Sequence, residues 1–323
     1  MAKAAHVSKA TVSYVLAESP KISNETASRV KKAMHDLGYS VNHAARVLST
    51  SKTMTIGIVI PMMRENVASI SQGAYLTSLS VLAREKGYDT MLISEVEGSR
   101  AFREAIDAKK IDGAIIMEVR RHKDERIDLA KKYKLPTVLL GVPADAQGLD
   151  VVDSDFTQAA RDLIRHFVRL GRKRLLLVLW SKEHYVKEIN FAVRFREAAL
   201  VEAKKSGMKV HVEYSTSSQE NPAAELKRAI KNYPEFDSLL IHNDSVVVVA
   251  QQVFLELGLA HSSDISVAAI IPDQMNSLVR VPFPTVDVNL DVVAQNVIEV
   301  LVDRISNVDA PQQVRLLQHQ LHE

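Results

Sequence analysis

Near its amino terminus the chain reads VSKATVSYVL over residues 7–16, a stretch with the spacing of a short amphipathic helix. Apolar side chains at Val12, Val15 and Leu16 fall on one face of this helix. The opposite face is small and polar and comprises Lys9, Ala10, Ser13, Tyr14 and Ala17. Because the Ser8 hydroxyl can cap the free amides of a first turn, we predict a helix that begins there and ends near Ala17.

Two further short helices are predicted on either side of this one. Residues 1–6 are predicted to form the first, and Ser23 is placed to cap a third that runs to Leu37 and stops at Gly38. Three such helices share a small core and let the middle one project its polar face into the major groove of DNA. Base recognition would fall to Lys9, Ala10 and Tyr14. The alternative is an ordinary helical subdomain packed on the rest of the chain.

The charge of the chain is unevenly distributed. Residues 1–52 carry eight Lys and Arg against three Asp and Glu, a net charge of +5, although the whole chain carries only +2. The remaining residues therefore carry −3. A basic head on an acidic body is typical of a module that neutralises DNA phosphates, because release of condensed counterions supplies affinity that is independent of sequence. A solvated basic surface is equally compatible with the charge alone.

From Met54 onward, apolar runs typical of β-strands alternate with amphipathic helical stretches. The predicted strands are Thr55–Ile60, Thr90–Ser94, Ala114–Met117, Thr137–Leu140, Leu175–Leu179, Val210–Tyr214, Leu239–Ile241 and Ser266–Ile271. This alternation predicts an α/β body, and the 323-residue length allows two parallel sheets of four to six strands, each covered by helices. Ligands bind beyond the carboxyl ends of such strands, so the expected site is the cleft between two lobes.

Specific residues follow the run at 7–16 in a characteristic order. They are Ile22-Ser23, Leu37-Gly38-Tyr39, Asn42, Ala45-Arg46 and Thr55-Ile56-Gly57. The body continues with Lys86-Gly87-Tyr88, Asp112-Gly113, Leu135-Pro136, residues 152–155, residues 170–174, Asn243-Asp244, Leu257-Gly258, residues 264–267 and residues 282–286. In these motifs the chain resembles the lactose-repressor (LacI/GalR) family of bacterial transcription regulators over nearly its whole length.

The resemblance implies a helix-turn-helix DNA-binding domain over residues 1–49, in which the segment 42–49 is a hinge that becomes helical on operator DNA. It also implies that Leu48 wedges into the minor groove, where an apolar side chain kinks the duplex. The expected DNA contacts are Ser8, Lys9, Ala10, Thr11, Ser13, Tyr14, Lys21, Ser23, Asn42, Ala45, Arg46 and Leu48. Tyr14 departs from the Arg that is common in the family, so the operator should differ from the usual half-site.

For residues 54–323 the resemblance implies an effector-binding and dimerisation domain with two lobes, similar to a periplasmic binding protein. The chain would cross between the lobes three times, near Asp153, Val286 and Pro311. The implied first lobe comprises about 54–152 and 288–309, and the second about 155–284 and 312–323.

Family members usually hold a sugar or a nucleobase in the cleft with polar side chains, and this sequence lacks most of them. Gly141-Val142 stands in place of a common Asp-Arg pair, and Asn243 is kept. The residues expected to contact an effector are Phe156, Trp180, Tyr185, Phe191, Asn243 and Ile271. Each unmade bond to a buried hydroxyl costs about 1–3 kcal/mol, which disfavours an ordinary free sugar. Stacking on a planar or partly apolar effector is expected instead, unless the aromatics close a cleft that binds nothing.

Other function classes find little support in the sequence. It has no cysteine, no His spacing typical of a metal site, no Gly-rich phosphate loop and no Gly-x-Ser-x-Gly turn. We therefore expect no catalytic residue, metal or cofactor, and a cytoplasmic protein without a membrane span. The leading hypothesis is a repressor that binds a palindromic double-stranded operator as a homodimer, with its DNA affinity modulated by a small effector. The alternatives are a solute-binding protein of a transporter and a regulator with a ligand-free cleft.

Overall fold

The structure is a computed structural model that describes eight stretches of the chain. They are residues 2–16, 21–37, 52–61, 69–95, 98–215, 221–259, 264–272 and 283–322. Within them the chain forms a small helical head and a two-lobed α/β body, which confirms the predicted fold class. The predicted hinge lies outside the described residues, and with it the expected DNA contacts Asn42, Ala45, Arg46 and Leu48.

The head contains two regular helices, α1 (Lys9–Leu16) and α2 (Asn24–Asp36). Its small core consists of Ala5, Val15, Val30 and Ala33. Ser8 and Ser23 act as predicted at the two helix starts, since their hydroxyls accept hydrogen bonds from the amides of Thr11 (2.9 Å) and Thr26 (3.3 Å).

Residues 2–6 form turns instead of the helix predicted over residues 1–6. The backbone of His6 is left-handed, with φ at 52°. A residue in that conformation cannot continue a right-handed helix, so the chain changes direction before α1. Arg29 of α2 donates to the carbonyl of Ala5 at 3.2 Å and holds this turn against the head.

The first lobe is built on a parallel sheet of six strands. These are β1 (Thr55–Pro61), β2 (Asp89–Glu95), β3 (Gly113–Ile116), β4 (Thr137–Leu140), β5 (Asp150–Ser154) and β11 (Val314–Leu317), in the order β11-β5-β4-β3-β1-β2. The helices of this lobe are α3 (Ile70–Glu85), α4 (Arg100–Asp107), α5 (Glu125–Tyr133) and α11 (Leu290–Ser306). The inner strands are apolar at nearly every position, because α3 and α11 contribute to the core on one face and α4 and α5 to the core on the other.

The second lobe repeats the design with one antiparallel edge strand. Its strands are β6 (Arg174–Leu179), β7 (Lys209–Tyr214), β8 (Ser238–Ile241), β9 (Ser266–Pro272), β10 (Thr285–Val288) and β12 (Gln320–His322), in the order β12-β10-β9-β8-β6-β7. Its helices are α6 (Phe156–Arg169), α7 (Lys182–Val186), α8 (Asn190–Lys205), α9 (Pro222–Asn232) and α10 (Asp244–Glu256). Only β12 runs antiparallel to its neighbour, β10.

The chain passes between the two sheets after Ser154, around Asn289 and at Gln318-His319. The last passage was predicted near Pro311, and it lies several residues further along the chain. The reason is that β11 pairs in parallel with β5 and adds an edge strand to the first sheet. Residues 314–317 therefore belong to the first lobe, and only β12 of the predicted 312–323 tail joins the second sheet.

Candidate functional site

The outer face of α1 is one of two surfaces that the sequence singled out. Lys9 and Ala10 are exposed, and the side chain of Tyr14 is 51% exposed. On the opposite side Val15 is buried against the core of the head. The helix is thus anchored along one side and presents an unburied polar side, which is the arrangement that a groove-binding helix needs.

Some of the expected DNA contacts of the head already form hydrogen bonds within the protein. The hydroxyls of Ser8 and Thr11 lie 2.8 Å apart at the start of α1, and Ser23 caps α2. Lys21 lies on the surface. The side chain of Ser13 lies outside the described residues. The structure therefore leaves Lys9, Ala10 and Tyr14 as the exposed part of the predicted reading surface.

The second surface is a cleft between the lobes with about 880 Å³ of space, including the part open to solvent. Side chains from both sheets form its walls, mostly at the carboxyl ends of strands, as the α/β pattern predicted. Its lining includes Ser71, Gln72, Glu118, Asp153, Phe156, Trp180, His184, Phe191, His242, Asn243, Asp244 and Ile271.

An aromatic cluster forms the wall contributed by the second lobe. The ring of Phe191 lies 5.6 Å from that of Phe156 and meets Trp180 edge-on at 5.8 Å. The imidazole of His242 lies at an angle over Phe195 with ring centroids 3.9 Å apart, and His184 lies 5.2 Å from Trp180. These contacts fix flat apolar surfaces with two imidazoles among them.

Both imidazoles of this cluster are neutral near pH 7. Burial lowers the pKa of His242 to about 3, with a smaller contribution from His184, and burial lowers the pKa of His184 itself to about 4. The side chain of His242 is 3% exposed, and its Nδ1 atom has no hydrogen-bond partner in the described structure. A buried polar atom without a partner costs free energy, so this imidazole is held by packing and not by hydrogen bonding through Nδ1.

Three carboxylates complete the cleft. Glu118 accepts from the amide of Gln72, and burial raises the pKa of its carboxyl to about 6. Burial also raises the pKa of Asp153 to about 6, although Arg194 lies 2.6 Å from it and opposes the shift. The carboxylate of Asp244, in the second lobe, accepts hydrogen bonds from the backbone amide (2.9 Å) and the hydroxyl (2.8 Å) of Ser71, in the first lobe.

Five of the six predicted effector residues line this cleft, namely Phe156, Trp180, Phe191, Asn243 and Ile271. Tyr185, the sixth, is not among the residues that line the cleft, because its ring packs with the core of the second lobe. There the guanidinium of Arg196 lies 4.5 Å above it and Tyr214 meets it edge-on at 5.1 Å. His184, the preceding residue, faces the cleft in its place.

Asn243 caps α10 and keeps both of its polar atoms occupied. Its carbonyl oxygen accepts from the amide of Ser245 at 3.0 Å, and its amide group donates to Ser215 at 2.9 Å. The next residue, Asp244, is the first residue of α10, and its carboxylate accepts a hydrogen bond from Ser71 of the other lobe.

The polar residues that sequence reasoning missed are Gln72, Glu118, Asp153, His184 and His242. Three of them carried a usable signal. Asp153 is the penultimate residue of β5, Glu118 follows β3 by two residues, and His242 directly follows β8. The carboxyl ends of parallel strands are where ligand groups gather, so these positions could have been selected from the strand boundaries alone.

Replacing His242 with Phe should reduce the loss of stability in acid. In the folded protein His242 stays neutral, whereas in the unfolded chain it takes a proton below its ordinary pKa of 6.5. The contribution of His242 to the unfolding free energy is therefore fully present above pH 6.5 and is lost as the pH falls. Between about pH 7 and about pH 5, the wild-type chain should lose about 2 kcal/mol more unfolding free energy than the variant.

Urea unfolding at several pH values measures this difference. The raised pKa values of Glu118 and Asp153 act in the opposite direction, but both proteins contain those carboxyls, so their effect cancels in the comparison. Parallel pH profiles for the two proteins would contradict a buried neutral imidazole at this position.

Within the described ranges, no cluster of three or more His, Asp and Glu side chains is arranged to hold a metal ion. None of the helices in the same ranges combines the length and apolar composition that a membrane crossing requires.

An anchored helix with a polar outer face, joined to a two-lobed α/β body with a cleft, defines the class of helix-turn-helix transcription regulators with a ligand-binding-type body. Residues 1–42 match the model of the bacterial regulatory proteins of the lacI family, and residues 53–322 match that of periplasmic binding proteins and the sugar binding domain of the LacI family. The chain belongs to the LacI family of bacterial transcription regulators.

Relatives agree with this assignment. The chain is 27% identical to the transcriptional regulator MalR of Staphylococcus xylosus, over 89% of this chain and 85% of that protein. It is 28% identical to the regulator AglR of Rhizobium meliloti (strain 1021), over 95% and 87%.

Two solved structures show the same fold at 19% identity. The lac repressor dimer bound to operator and an anti-inducer matches 100% of this chain and 96% of its own with a TM-score of 0.80. A complex of the regulator CelR with cellobiose matches 100% and 97% with a TM-score of 0.70.

Proposed function

We propose that this regulator is a repressor that binds a palindromic operator as a homodimer and changes its DNA affinity when a small effector enters the cleft. The observation that carries the proposal is the outer face of α1, where Lys9, Ala10 and Tyr14 are exposed while Val15 is buried. A helix held in this way fits the major groove, and a two-fold dimer places two such helices on the two halves of a palindrome.

Tyr14 should give this surface a different sequence preference from that of a helix with Arg at the same position. A phenol offers one hydroxyl and a flat ring, whereas an Arg at the same place would offer a fork that fits guanine. Lys9 supplies a flexible cation for a base edge or a phosphate. We therefore propose an operator half-site that does not require the guanine read by an Arg at this position.

The cleft provides the route from effector to DNA. Direct bonds join its two lobes, among them Ser71 to Asp244 and Arg121 to Glu197, the latter with 2.6 Å between nitrogen and oxygen. An effector that contacts both walls changes the balance between arrangements of the lobes, and the first lobe carries the segment that leads to the head.

The walls favour an effector with a planar or partly apolar body over a free sugar. Phe156, Trp180 and Phe191 offer ring faces and edges, and the amide of Asn243 is already used within the protein. A sugar that left several buried hydroxyls without partners would lose about 1–3 kcal/mol for each one. Relatives that bind cellobiose, such as the CelR complex, need not share this preference.

A second candidate is a regulator whose cleft binds nothing. The bonds from Ser71 to Asp244 favour it, because they join the lobes without a ligand. Thermal unfolding of the full chain against a panel of metabolites separates the two candidates. A raised melting temperature with aromatic or partly apolar compounds supports an effector site, and a rise with plain hexoses would contradict the predicted preference.

Selection of genomic DNA fragments by the full chain tests the proposed function. We expect enrichment of a short site with two-fold symmetry, close to the regulated genes. No enrichment over randomly sheared DNA would contradict it. A regulator that works on the chromosome also acts in the cytoplasm and needs no catalytic turnover, and we propose both for this protein.

A further inference from the structure

The charged side chains in the walls of the cleft are acidic. Among the described residues that form its walls, the charged side chains are Glu118, Asp153 and Asp244, and none is a Lys or Arg. Only Asp153 has an ion-pair partner there, Arg194 at 2.6 Å. The histidines of the cluster are neutral and offset none of this charge.

Glu118 is the carboxylate of the cleft that burial affects together with both cations and an anion. Its carboxylate accepts a hydrogen bond from the neutral amide of Gln72; Arg126 and Lys187 favour its charged form, and Glu183 opposes it. Its backbone is also left-handed, with φ at 49°. Eight described non-glycine residues have a positive φ, and among these eight Glu118 alone lines the cleft; strained backbone of this kind recurs at ligand sites.

The opposite wall suits a positive charge as well. Rings attract cations to their faces, and Trp is the strongest of the aromatic side chains in this respect. Trp180 and Phe191 line the cleft, and so does the neutral imidazole of His242, which adds no positive charge to this wall.

We propose that the cleft binds an organic cation, an amine or related nitrogen base attached to a planar or apolar body, with the charge directed at Glu118 and the body on the rings. This inference rests on the proposed function, since it names the chemical class of the effector. A neutral sugar would leave the carboxylate without a counter-charge, and an anion would be repelled by all three acids.

Benzylammonium chloride and benzyl alcohol form a matched pair of probes, because they have nearly the same shape and only the first is charged. Trp180 is the only tryptophan of the chain and lines the cleft, so its fluorescence reports binding there. At about pH 8, where Glu118 is ionised, we expect saturable binding of benzylammonium with an affinity at least about tenfold above that of benzyl alcohol.

Glu118→Gln keeps the shape of the side chain and removes its charge. The variant should lower the affinity for benzylammonium at least about tenfold and leave that for benzyl alcohol within about twofold. Glu104→Gln is the control, since Glu104 lies on the exposed side of α4, paired with Arg100, and outside the cleft. The affinity of the Glu104→Gln variant for benzylammonium should equal that of the wild type.

Three results would overturn the organic-cation site: equal binding of the two probes, unchanged cation affinity in Glu118→Gln, or no response of Trp180 to either probe. The selection of DNA fragments by the wild-type chain is performed without any probe. Specific DNA binding without cation binding therefore removes only this inference, whereas the absence of specific DNA binding removes the proposed function itself.

Discussion

Replacing Lys9 and Tyr14 together with alanine is expected to lower the affinity for a selected operator by about 100-fold to 1,000-fold, because each contact with a base edge contributes about 1–3 kcal/mol of discrimination. Both side chains lie on the exposed face of α1 and none of the head's core depends on them. Fluorescence anisotropy with a labelled duplex gives the affinity, and circular dichroism shows whether the head remains helical.

Lys32→Ala is the matched control for this variant. Lys32 is an exposed cation on α2, so its removal takes away the same charge without touching the predicted reading surface. Both variants should lose a similar part of their affinity for unrelated DNA, since that part is electrostatic. If Lys32→Ala lost as much operator affinity as the double variant, α1 would not be the helix that reads sequence.

Replacing Arg126 with alanine is expected to lower the unfolding free energy of the body by about 3–5 kcal/mol, because it leaves Asp124 as a buried charge without its partner. The two side chains are 6% and 3% exposed and form two parallel hydrogen bonds of 2.9 and 2.7 Å. Burial alone would raise the pKa of Asp124, but the guanidinium of Arg126 outweighs it and the pKa is lowered. The pair therefore stabilises the fold at neutral pH, and this contribution is lost as the pH falls into the acid range.

Arg126 also holds one end of the cleft wall, since it donates to the carbonyls of Met117 (2.9 Å) and Glu118 (3.0 Å). Arg100→Ala provides the control, because Arg100 forms an exposed pair with Glu104 on the neighbouring α4. Urea unfolding should show little change for that variant and a large loss for Arg126→Ala. Equal losses in the two variants would mean that burial of the Arg126 pair contributes nothing to stability.

The sequence predicted most of the fold because most of its elements bury a clear apolar pattern. All eight predicted strands are present: six are largely buried apolar runs covered by helices, and the edge strands β2 and β7 alternate apolar and polar residues and are only partly buried. The four strands without a prediction are β5, β10, β11 and β12, which have three to five residues each and lie next to a passage between the lobes. In β11 the exposed Val314 and Leu316 alternate with half-buried residues, so its apolar residues do not mark a core face.

The cleft was predictable in outline and less so in detail. The aromatic wall was predicted through Phe156, Trp180 and Phe191, all three of which line the cleft. Tyr185 failed by one position, since adjacent residues on the short α7 point about 100° apart and His184 takes the inner side. The position of Glu118 could have been selected from the end of β3, but its raised pKa could not, because that depends on how deeply folding buries the carboxyl and which charges lie near it.

The measurement that tests the account most directly is a competition titration of the full chain on its selected operator. A labelled duplex is bound at moderate salt and then displaced by the same duplex without label, or by one with the same composition in scrambled order. We predict that the scrambled duplex needs a concentration at least about 1,000-fold higher to displace the chain, the lower end for specific DNA-binding proteins. Displacement by both duplexes at similar concentrations would show that the head binds DNA through charge alone, and would contradict a sequence-reading regulator.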